Sequence, residues 1–281
     1  MKFSIVTPNY NYGRFLQKAL DSVLAQISLQ PSAFGIEHIV IDGASTDDSV
    51  AILEAHRGRV STLPQEVQAR YSFRYISEKD AGQTDAINKG LRLATGDLVA
   101  WLNADEFYNA GGLAKIAAAA ERFPKHGLLY GEPVFVDADC KPIRVWRAHV
   151  FSPFVLLWRG CYISSCCSFW RRDILEKVGY LDPSYKAVMD GEYWVRLMKN
   201  GIRFKFVPSL IASFIWHDTN VSALLADRRA AESRQIKLLY GWRPFSGASP
   251  VYFRLMTFTA HQYRRLLVLA RLAFIKRENA G

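Results

Sequence analysis

Hydrophobic and polar positions alternate in regular blocks along the first hundred residues. Four short apolar runs, rich in β-branched side chains, predict strands at 3–7, 37–42, 73–77 and 97–102. Between these runs, apolar side chains recur at helical spacing, for example behind the first run and again from about Thr84 to Ala94. Strands that alternate with helices are typical of parallel βαβ units, so the pattern predicts an α/β fold with a mostly parallel sheet.

The second half of the chain has a more mixed pattern. Apolar runs predict further strands at 127–137, 143–146, 161–170, 204–208 and 211–217. One helix is predicted to stop at Gly179, and another to begin at Asp190 and stop at Gly201. The sheet pattern gives way to helix between about 220 and 245. We therefore expect one domain over residues 1–222 and a helical appendage over residues 223–281.

A polar cluster follows each of the first four predicted strands. The clusters are PNYN (8–11), DGASTDDS (42–49), EKDAGQTD (78–85) and NADE (103–106). The carboxyl ends of parallel strands meet at one edge of a sheet, where open α/β sheets bind their ligands. We therefore expect the four clusters to converge on one site. NADE alone would also fit a turn stabilised by Asn and Asp.

Two clusters have the chemistry of a nucleotide site. DGASTDDS offers acceptors for a ribose or a base edge, although Ser45 or Asp47 could simply cap the next helix. If a nucleoside diphosphate lies on this edge, its charge calls for a divalent cation held by one or two carboxylates. Asp105 is the candidate ligand, with Glu106 binding directly or through water. The glycine-rich patterns of P-loop proteins and of the usual dehydrogenases are absent from the sequence.

Composition excludes several classes of protein. The chain has 281 residues, half of them hydrophobic and 22% charged, as is ordinary for a globular protein. No apolar run reaches the roughly 20 residues of a membrane span, and the N-terminal run is too short for a signal peptide. We expect a cytoplasmic protein whose cysteines are reduced thiols in the core, namely Cys140, Cys161, Cys166 and Cys167.

The ordered set of motifs resembles the family 2 inverting glycosyltransferases, which have the GT-A fold and use nucleotide-sugar donors. The blocks that carry the resemblance are SIVTPNYNYGRFLQKALDSVLAQ, EHIVIDGASTDDSV, EKDAGQTDAINKGLRLATGDLVAWLNADE and MDGEYWVRLMKNG. Together they span roughly residues 2–222. The resemblance implies a Rossmann-like transferase that acts on nucleotide-diphosphate sugars.

The family pattern also assigns residues to the donor site. It implies that Thr7, Pro8 and Asn9 line the nucleotide pocket, and that Asp42 accepts a hydrogen bond from the base, usually uracil. Around the nucleotide and sugar it implies Asp80, Gln83, Asp85 and Asn88.

The metal site implied by the resemblance departs from the family pattern. Asn103, Ala104 and Asp105 occupy the place of the D-x-D motif, with Asn103 where the first acid would stand. The resemblance therefore implies Mn²⁺ or Mg²⁺ held chiefly by Asp105, with modest affinity and with Glu106 nearby. His217, which ends a predicted strand, would complete the metal shell, touch the diphosphate or have a structural role.

Asp190 matches the position of the family's general base, which takes the proton of the acceptor hydroxyl. Read alone, an Asp at a helix start is also a common cap. Glu192 is the second candidate for the base. Arg196 is expected to pair with a carboxylate or a phosphate.

Aromatic and basic residues bear on the acceptor. Trp101, Trp194 and Trp216 are expected in the core, whereas Trp158 and Trp170 lie in the variable part, about 135–185, that would face an acceptor. The net charge is +10, and basic side chains of the C-terminal segment are predicted on one side of a helix with apolar side chains mostly opposite: Arg254, His261, Arg264, Arg265, Arg271 and Lys276. Such a helix would lie on an anionic membrane, pack on the domain or form a dimer interface.

The sequence therefore predicts a metal-assisted inverting glycosyltransferase. A UDP-sugar would be the donor, and a glycan or lipid-linked sugar would be the acceptor at the inner face of the cell membrane. The alternatives are a non-catalytic nucleotide-sugar-binding module and a nucleotidyltransferase of similar fold. Nothing in the sequence favours a nucleic-acid partner.

Overall fold

The computed structural model describes residues 1–29, 34–218, 220, 225–241 and 250–278. In the first half the elements are β1 (Lys2–Asn9), α1 (Gly13–Leu29), β2 (Gly35–Asp42), α2 (Ser49–Ser61), α3 (Gln65–Gln68), β3 (Tyr71–Ser77), α4 (Gln83–Leu93) and β4 (Leu98–Trp101). These bounds confirm the four strands and the helix predicted from the alternating blocks.

The second half adds strands and shorter helices. They are β5 (Glu106–Tyr108), α5 (Gly112–Arg122), β6 (Leu128–Val136), β7 (Pro142–Val145), α6 (Pro153–Trp158), β8 (Ser168–Arg171), α7 (Asp173–Val178), α8 (Met189–Lys199), β9 (Phe204–Ile215), α9 (Ala226–Tyr240) and α10 (Pro250–Glu278). The glycines predicted to stop α7 and to follow α8 both have positive φ, 85° at Gly179 and 75° at Gly201. Glycine adopts this conformation at little cost, which is why it ends helices.

The strands form one sheet in the order β3-β2-β1-β4-β8-β6-β9-β5, with β7 paired to β6. The first four strands are parallel to one another, and β6 and β9 form a second parallel pair. Antiparallel contacts with β8 join these two parts. The α/β fold predicted from the sequence is therefore confirmed, with most of the strand pairing parallel.

Helices cover both faces of the sheet, which explains why its central strands are apolar on both sides. On one face, α1 and α5 pack against side chains such as Phe3 and Ile5 of β1. On the other face, α4, α6 and α8 pack around Trp101, whose ring stacks on Trp194 at 5.6 Å and meets Trp170 edge-on at 5.4 Å. The polar strand ends project beyond these two cores.

The strands differ from the prediction at three places. The predicted strand 161–170 is a 3₁₀ turn at Ser165–Cys167 followed by β8, so only its last residues join the sheet. The two strands predicted at 204–208 and 211–217 are one strand, β9, which ends two residues before His217. β5 was not predicted, because three residues are too few to show a period.

The C-terminal segment forms two helices that pack on the rest of the chain. Residues 221–224, at the predicted domain boundary, lie outside the described residues, as does the side chain of Lys276. None of the described helices is long and apolar enough to cross a membrane.

The basic face predicted for α10 is wrong in part. Arg264 and Arg271 face inward: Arg264 donates a hydrogen bond to the Arg147 carbonyl, and Arg271 pairs with buried Glu132 at 2.8 Å. The outer face of α10 instead exposes apolar side chains, namely Leu255, Phe258, Leu266, Leu269 and Leu272. Arg254, His261 and Arg265 are exposed along one edge of that stripe.

Candidate active site

Three of the four predicted polar clusters, PNYN, EKDAGQTD and NADE, supply residues to a cleft of about 830 Å³ at the carboxyl ends of the parallel strands, whereas no residue of DGASTDDS lines it. From the predicted site, the residues that line it are Pro8, Asn9, Asp80, Gln83, Asn103, Ala104, Asp105, Glu106 and Asp190. Five predicted site residues are not among those lining the cleft: Thr7, Asp42, Asp85, Asn88 and His217. A cleft of this size is typical of small-molecule sites.

Asp42 connects the strand ends beneath the cleft. Its fully buried carboxylate accepts hydrogen bonds from the Asn9 amide at 2.7 Å, from the Ser77 hydroxyl at 2.6 Å, and from both the backbone and the hydroxyl of Ser45. Thr7 is likewise buried, and its hydroxyl lies 3.0 Å from the His38 ring. The DGASTDDS cluster thus supports the PNYN loop from behind.

Some residues of and near the third cluster, EKDAGQTD, line the cleft, whereas others hold the loops around it. Gln83 donates to the Asn103 side chain at 2.8 Å, which joins two clusters on the cleft wall. Asp80 also lines the cleft, while its carboxylate accepts from the Gly82 N–H. Asp85 accepts from Ala81, and Asn88 makes two hydrogen bonds to the backbone of Leu181. Asp85 and Asn88 therefore hold the loops around the cleft.

Glu106 opens β5 and is buried at the floor of the cleft. Its carboxylate accepts from the Asn103 backbone N–H at 2.8 Å. Burial, together with the nearby Cys166 and Asp105, raises the pKa of Glu106 well above its usual value. Ala104, between Asn103 and Asp105, is 3% exposed and packs beneath the cleft.

Asp105, His217 and Asn220 form a compact polar group. The Asp105 carboxylate lies 3.1 Å from His217 Nε2 and accepts from the Asn220 amide at 3.0 Å. The His217 ring stacks on Phe15 at a centroid distance of 4.6 Å, which sets its orientation. The sequence placed Asp105 and His217 in one site but missed Asn220, for which the only signal was the polar segment after His217.

The donor atoms of this group suit a divalent cation. The Asp105 carboxylate is a hard ligand for such a cation, and the His217 imidazole is a common ligand of transition metals. The Asn220 amide oxygen already accepts from the His217 backbone N–H at 2.8 Å. No group of three or more His, Cys, Asp or Glu residues that could hold a metal occurs in the described part of the chain. Ligands from a bound diphosphate would therefore have to complete the coordination shell, as is usual for Mg²⁺ at nucleotide sites.

Asp190 lies in the first turn of α8 and lines the same cleft as Asp105. Its carboxylate accepts from the Gly191 N–H at 2.7 Å, and Cys161 Sγ lies 3.8 Å from the other oxygen. Burial raises the pKa of Asp190 above its usual value, because a buried carboxylate is poorly solvated. The helix begins after Val188, so Asp190 does not occupy its N-cap position.

Glu192, the second candidate for the base, is held away from the cleft. It forms two hydrogen bonds of 2.9 Å with Arg196 and accepts another from Tyr240 at 3.1 Å. Arg196 also donates to the carbonyls of Val178 and Tyr180. This buried ion pair joins α8, the turn after α7 and α9.

Glu232 of α9 supports the segment that leads to Asp190. Its carboxylate accepts from three successive backbone N–H groups, those of Lys186, Ala187 and Val188, at 2.9–3.2 Å. Burial acts to raise the pKa of Glu232, but these hydrogen bonds and that from Arg228 outweigh it, so the pKa lies below its usual value. The C-terminal segment thus supports the cleft.

Several cleft residues were not predicted from the sequence. Lys186 and Arg229 line the cleft, and no described carboxylate lies within ion-pair distance of either. Trp216, predicted in the core, is 47% exposed and lines the cleft, whereas Trp158 and Trp170, which lie in the variable part expected to face an acceptor, are buried. Trp101 and Trp194 are buried as predicted.

Sequence comparison connects the chain with known enzymes. The model of the family described as Glycosyl transferase family 2 matches residues 4–179. An uncharacterised glycosyltransferase of Nostoc sp. is 32% identical over 65% of this chain and 55% of its own length. A PGL/p-HBAD biosynthesis glycosyltransferase of Mycobacterium tuberculosis is 26% identical over 75% of this chain and 76% of its own length. The chain thus spans about half the length of the Nostoc relative.

Two solved structures share the fold. TarS 1-349 from S. aureus, in complex with UDP-GlcNAc, superposes with a TM-score of 0.61 at 17% identity, covering 92% of this chain and 79% of that one. The mannosyltransferase PcManGT from Pyrobaculum calidifontis, in complex with GDP-Man and Mn²⁺, has a TM-score of 0.61 at 18% identity, covering 99% of this chain and 75% of that one. Identities this low support a shared fold only.

Replacing Glu232 with Ala should destabilise the protein by about 1–3 kcal/mol, since three backbone N–H groups lose their acceptor. Because the folded pKa is lowered, this contribution is present at neutral pH and is lost as the pH falls through that pKa. Urea unfolding at neutral and acidic pH measures it. Glu176→Ala, whose side chain is 77% exposed, serves as the control and should change stability by less than about 0.5 kcal/mol. An equal loss at both pH values would contradict the role of the carboxylate.

Proposed function

Since the chain belongs to glycosyl transferase family 2 and has the GT-A fold, we propose that it moves a sugar from a UDP-sugar to a hydroxyl group of a glycan or lipid-linked acceptor with inversion. The observation that carries the proposal is a cleft lined by residues of three strand-end clusters, with Asp105 and Asp190 both on its wall. Such an arrangement lets one group of residues hold the leaving diphosphate and another deprotonate the acceptor.

The donor would lie along the ends of β1–β4. Asn9 and Asp80 line that part of the cleft, and Lys186 and Arg229 add positive charge on the facing side. Because Asp42 is fully buried and already accepts several hydrogen bonds, we expect it to shape the pocket through Asn9 and Ser45. Uridine is the proposed base from the family pattern, and the complex of TarS with UDP-GlcNAc is in keeping with it.

Asp190 is the proposed general base. Its carboxylate would take the proton of the acceptor hydroxyl while that oxygen bonds to the anomeric carbon, from the face opposite the diphosphate. The bond from the anomeric carbon to the diphosphate oxygen breaks, and its electron pair leaves with the nucleoside diphosphate. The raised pKa of Asp190 makes it a better proton acceptor than an exposed carboxylate.

Asp105 is the proposed principal ligand of Mn²⁺ or Mg²⁺, with His217 and Asn220 beside it. A divalent cation bound there would neutralise the diphosphate and stabilise it as a leaving group. The structure of PcManGT contains Mn²⁺, which supports the use of a metal with this fold. Glu106 would assist from the floor of the cleft through Asn103, whose backbone it already contacts.

An anionic membrane surface is the proposed partner of α10. The apolar stripe on its outer face includes Leu266 and Leu269, each about 60% exposed, and Arg265 lies exposed beside it. Apolar side chains bordered by basic ones suit a bilayer with anionic lipids, to which a net charge of +10 is complementary. In this proposal residues 1–222 form the catalytic domain and 223–281 the appendage that brings it to a lipid-linked acceptor.

Replacing Asp190 with Asn should lower the transfer rate by roughly 10²–10⁴-fold, because an amide cannot accept the proton. Release of UDP or GDP from a panel of nucleotide sugars, with simple glycosides as acceptors, measures this. The rate of the wild type should fall as the pH drops through the raised pKa of Asp190, and Asp190→Asn should lack that dependence.

Asp173→Asn, an exposed change in α7, is the matched control and should keep full activity. A loss of this size in Glu192→Gln, with the activity of Asp190→Asn unchanged, would assign the base to Glu192. A wild type that binds UDP without turning over any donor would favour the binding module. Incorporation of a nucleotide into product would favour the nucleotidyltransferase.

Replacing Asp105 with Asn should weaken Mn²⁺ binding in the presence of UDP by about tenfold or more, since the charged ligand is lost. Electron paramagnetic resonance of free Mn²⁺ measures binding without requiring turnover. His217→Ala should weaken binding less, and Asp97→Asn, whose carboxylate accepts from the Lys2 backbone at the far end of the sheet, should not change it. Unchanged binding in Asp105→Asn would place the metal elsewhere.

Replacing Leu266 and Leu269 together with Ser should reduce binding to vesicles containing phosphatidylglycerol by at least about tenfold, because inserted apolar area is lost. Co-sedimentation measures the bound fraction, with neutral phosphatidylcholine vesicles for comparison. Val150→Ser, an exposed apolar change outside α10, is the control. If the wild type binds neither kind of vesicle and forms a dimer, and the double variant is a monomer, the stripe is a dimer interface.

A further inference from the structure

Four aromatic rings form a continuous wall at the end of the cleft away from the proposed nucleotide site. Phe135 of β6 lies 5.3 Å from Phe214 of β9, 6.1 Å from Trp146 and 6.2 Å from Trp216, measured between ring centroids. Phe135 is also paired in register with Phe214 on β9 and with Arg144 on β7. Cross-strand neighbours of this kind share one face of a sheet, which explains how three strands build one surface.

The wall faces the cleft and is open to a ligand. All four rings line the cleft, and Trp216 is 47% exposed. A large aromatic side chain is stabilised by burial, so leaving it exposed to water has a cost. An exposed tryptophan next to three further rings in a cleft therefore indicates a surface that binds a ligand. Trp146 is held from behind by a hydrogen bond to the Tyr162 carbonyl and by the Arg264 guanidinium, which lies 5.3 Å from its ring.

Arg144 adds a positive charge to the wall. Its guanidinium carbon lies 4.7 Å from the Phe135 ring centroid and 5.5 Å from that of Trp146. Among the described residues, no carboxylate lies within 4 Å of the guanidinium nitrogens of Arg144, which is exposed. Stacking fixes the position of the charge while leaving its hydrogen-bond donors available.

The order of the strands separates this wall from the donor. The proposed donor pocket lies over β1–β4, and β6, β7 and β9 lie on the far side of β4 in the sheet. Asp105 stands between the two parts, because Glu106, which follows it, is paired with Phe214 of the wall. A sugar joined to a diphosphate at Asp105 would therefore have the wall on its free side.

We propose that the wall formed by Phe135, Trp146, Phe214 and Trp216, together with Arg144, is an acceptor subsite for a sugar ring that carries a carboxylate or phosphate group. The apolar face of the ring would lie on Trp216 and Trp146, and the anionic group would pair with Arg144. This inference rests on the proposed function, and it adds the chemical class of the acceptor.

The test uses the full chain loaded with UDP and Mn²⁺ and follows ligand binding by saturation-transfer NMR. The probes are methyl glucuronide, glucose 6-phosphate and methyl glucoside, which share a ring but differ in charge. The wild type should bind the two anionic probes more tightly than the neutral one. The anionic probe that binds more tightly shows whether the subsite prefers a carboxylate or a phosphate group.

Substitutions at two positions, Trp216 and Arg144, separate the contribution of stacking from that of charge. Trp216→Ala should weaken all three probes by about tenfold, and Trp216→Phe should restore most of the binding. Arg144→Gln should remove the preference for the anionic probes and leave methyl glucoside unchanged. Lys141→Gln, an exposed cation near the start of β7, is the matched control and should keep the preference.

The outcomes against the inference are clear. Absence of probe binding by the wild type, equal binding of charged and neutral probes, or unchanged binding in Trp216→Ala would each overturn it. Calorimetric titration of UDP into the same proteins without bound nucleotide, in the presence of Mn²⁺, reports on the donor site separately. If UDP binds and donors are turned over while the variants behave as wild type, only the acceptor subsite is wrong; if UDP does not bind, the proposed function is wrong.

Discussion

The buried carboxylate of Asp42 is the interaction on which the geometry of the cleft depends. It sits at the end of β2 and accepts hydrogen bonds from groups at the end of β1, at the end of β3 and in the turn that follows β2. A carboxylate without partners in this position would be costly, so the three loops must keep the arrangement that supplies its donors. The parallel pairing of the strands brings their ends together, and Asp42 then sets how the loops leave them.

The other side of the cleft depends on the C-terminal segment. Glu232 accepts hydrogen bonds from the residues before α8, and Tyr240 donates to Glu192 of the Glu192–Arg196 ion pair in α8. Arg271 forms a bidentate ion pair with Glu132. Glu132 is buried and also accepts from Ala148 and Arg147. Loss of one partner in such a group leaves a buried charge uncompensated, which is strongly destabilising. Through these contacts the helices after residue 225 support the segments around the site, whichever surface α10 contacts.

The predicted residues that line the cleft lie at the boundaries of strongly patterned elements. Asp105 comes after a strand and Asp190 lies in the first turn of a helix, so their positions along the fold could be predicted from the sequence pattern. Trp216 could not be placed, because an apolar strand looks the same whether its last ring packs inward or faces a cleft. Glu232 and Arg264 lie on helices whose inward faces are set by tertiary packing, and periodicity alone assigned Arg264 to the surface.

The position of Arg264 relates the outer face of α10 to the cleft. Its guanidinium lies against Trp146 on the aromatic wall, while Leu266, two residues later, is exposed on the opposite side of the same helix. A helix is stiff over such a distance, so whatever holds its outer face also restrains the ring that lines the cleft. Membrane binding by the stripe would thus fix the orientation of the aromatic wall with respect to the lipid surface.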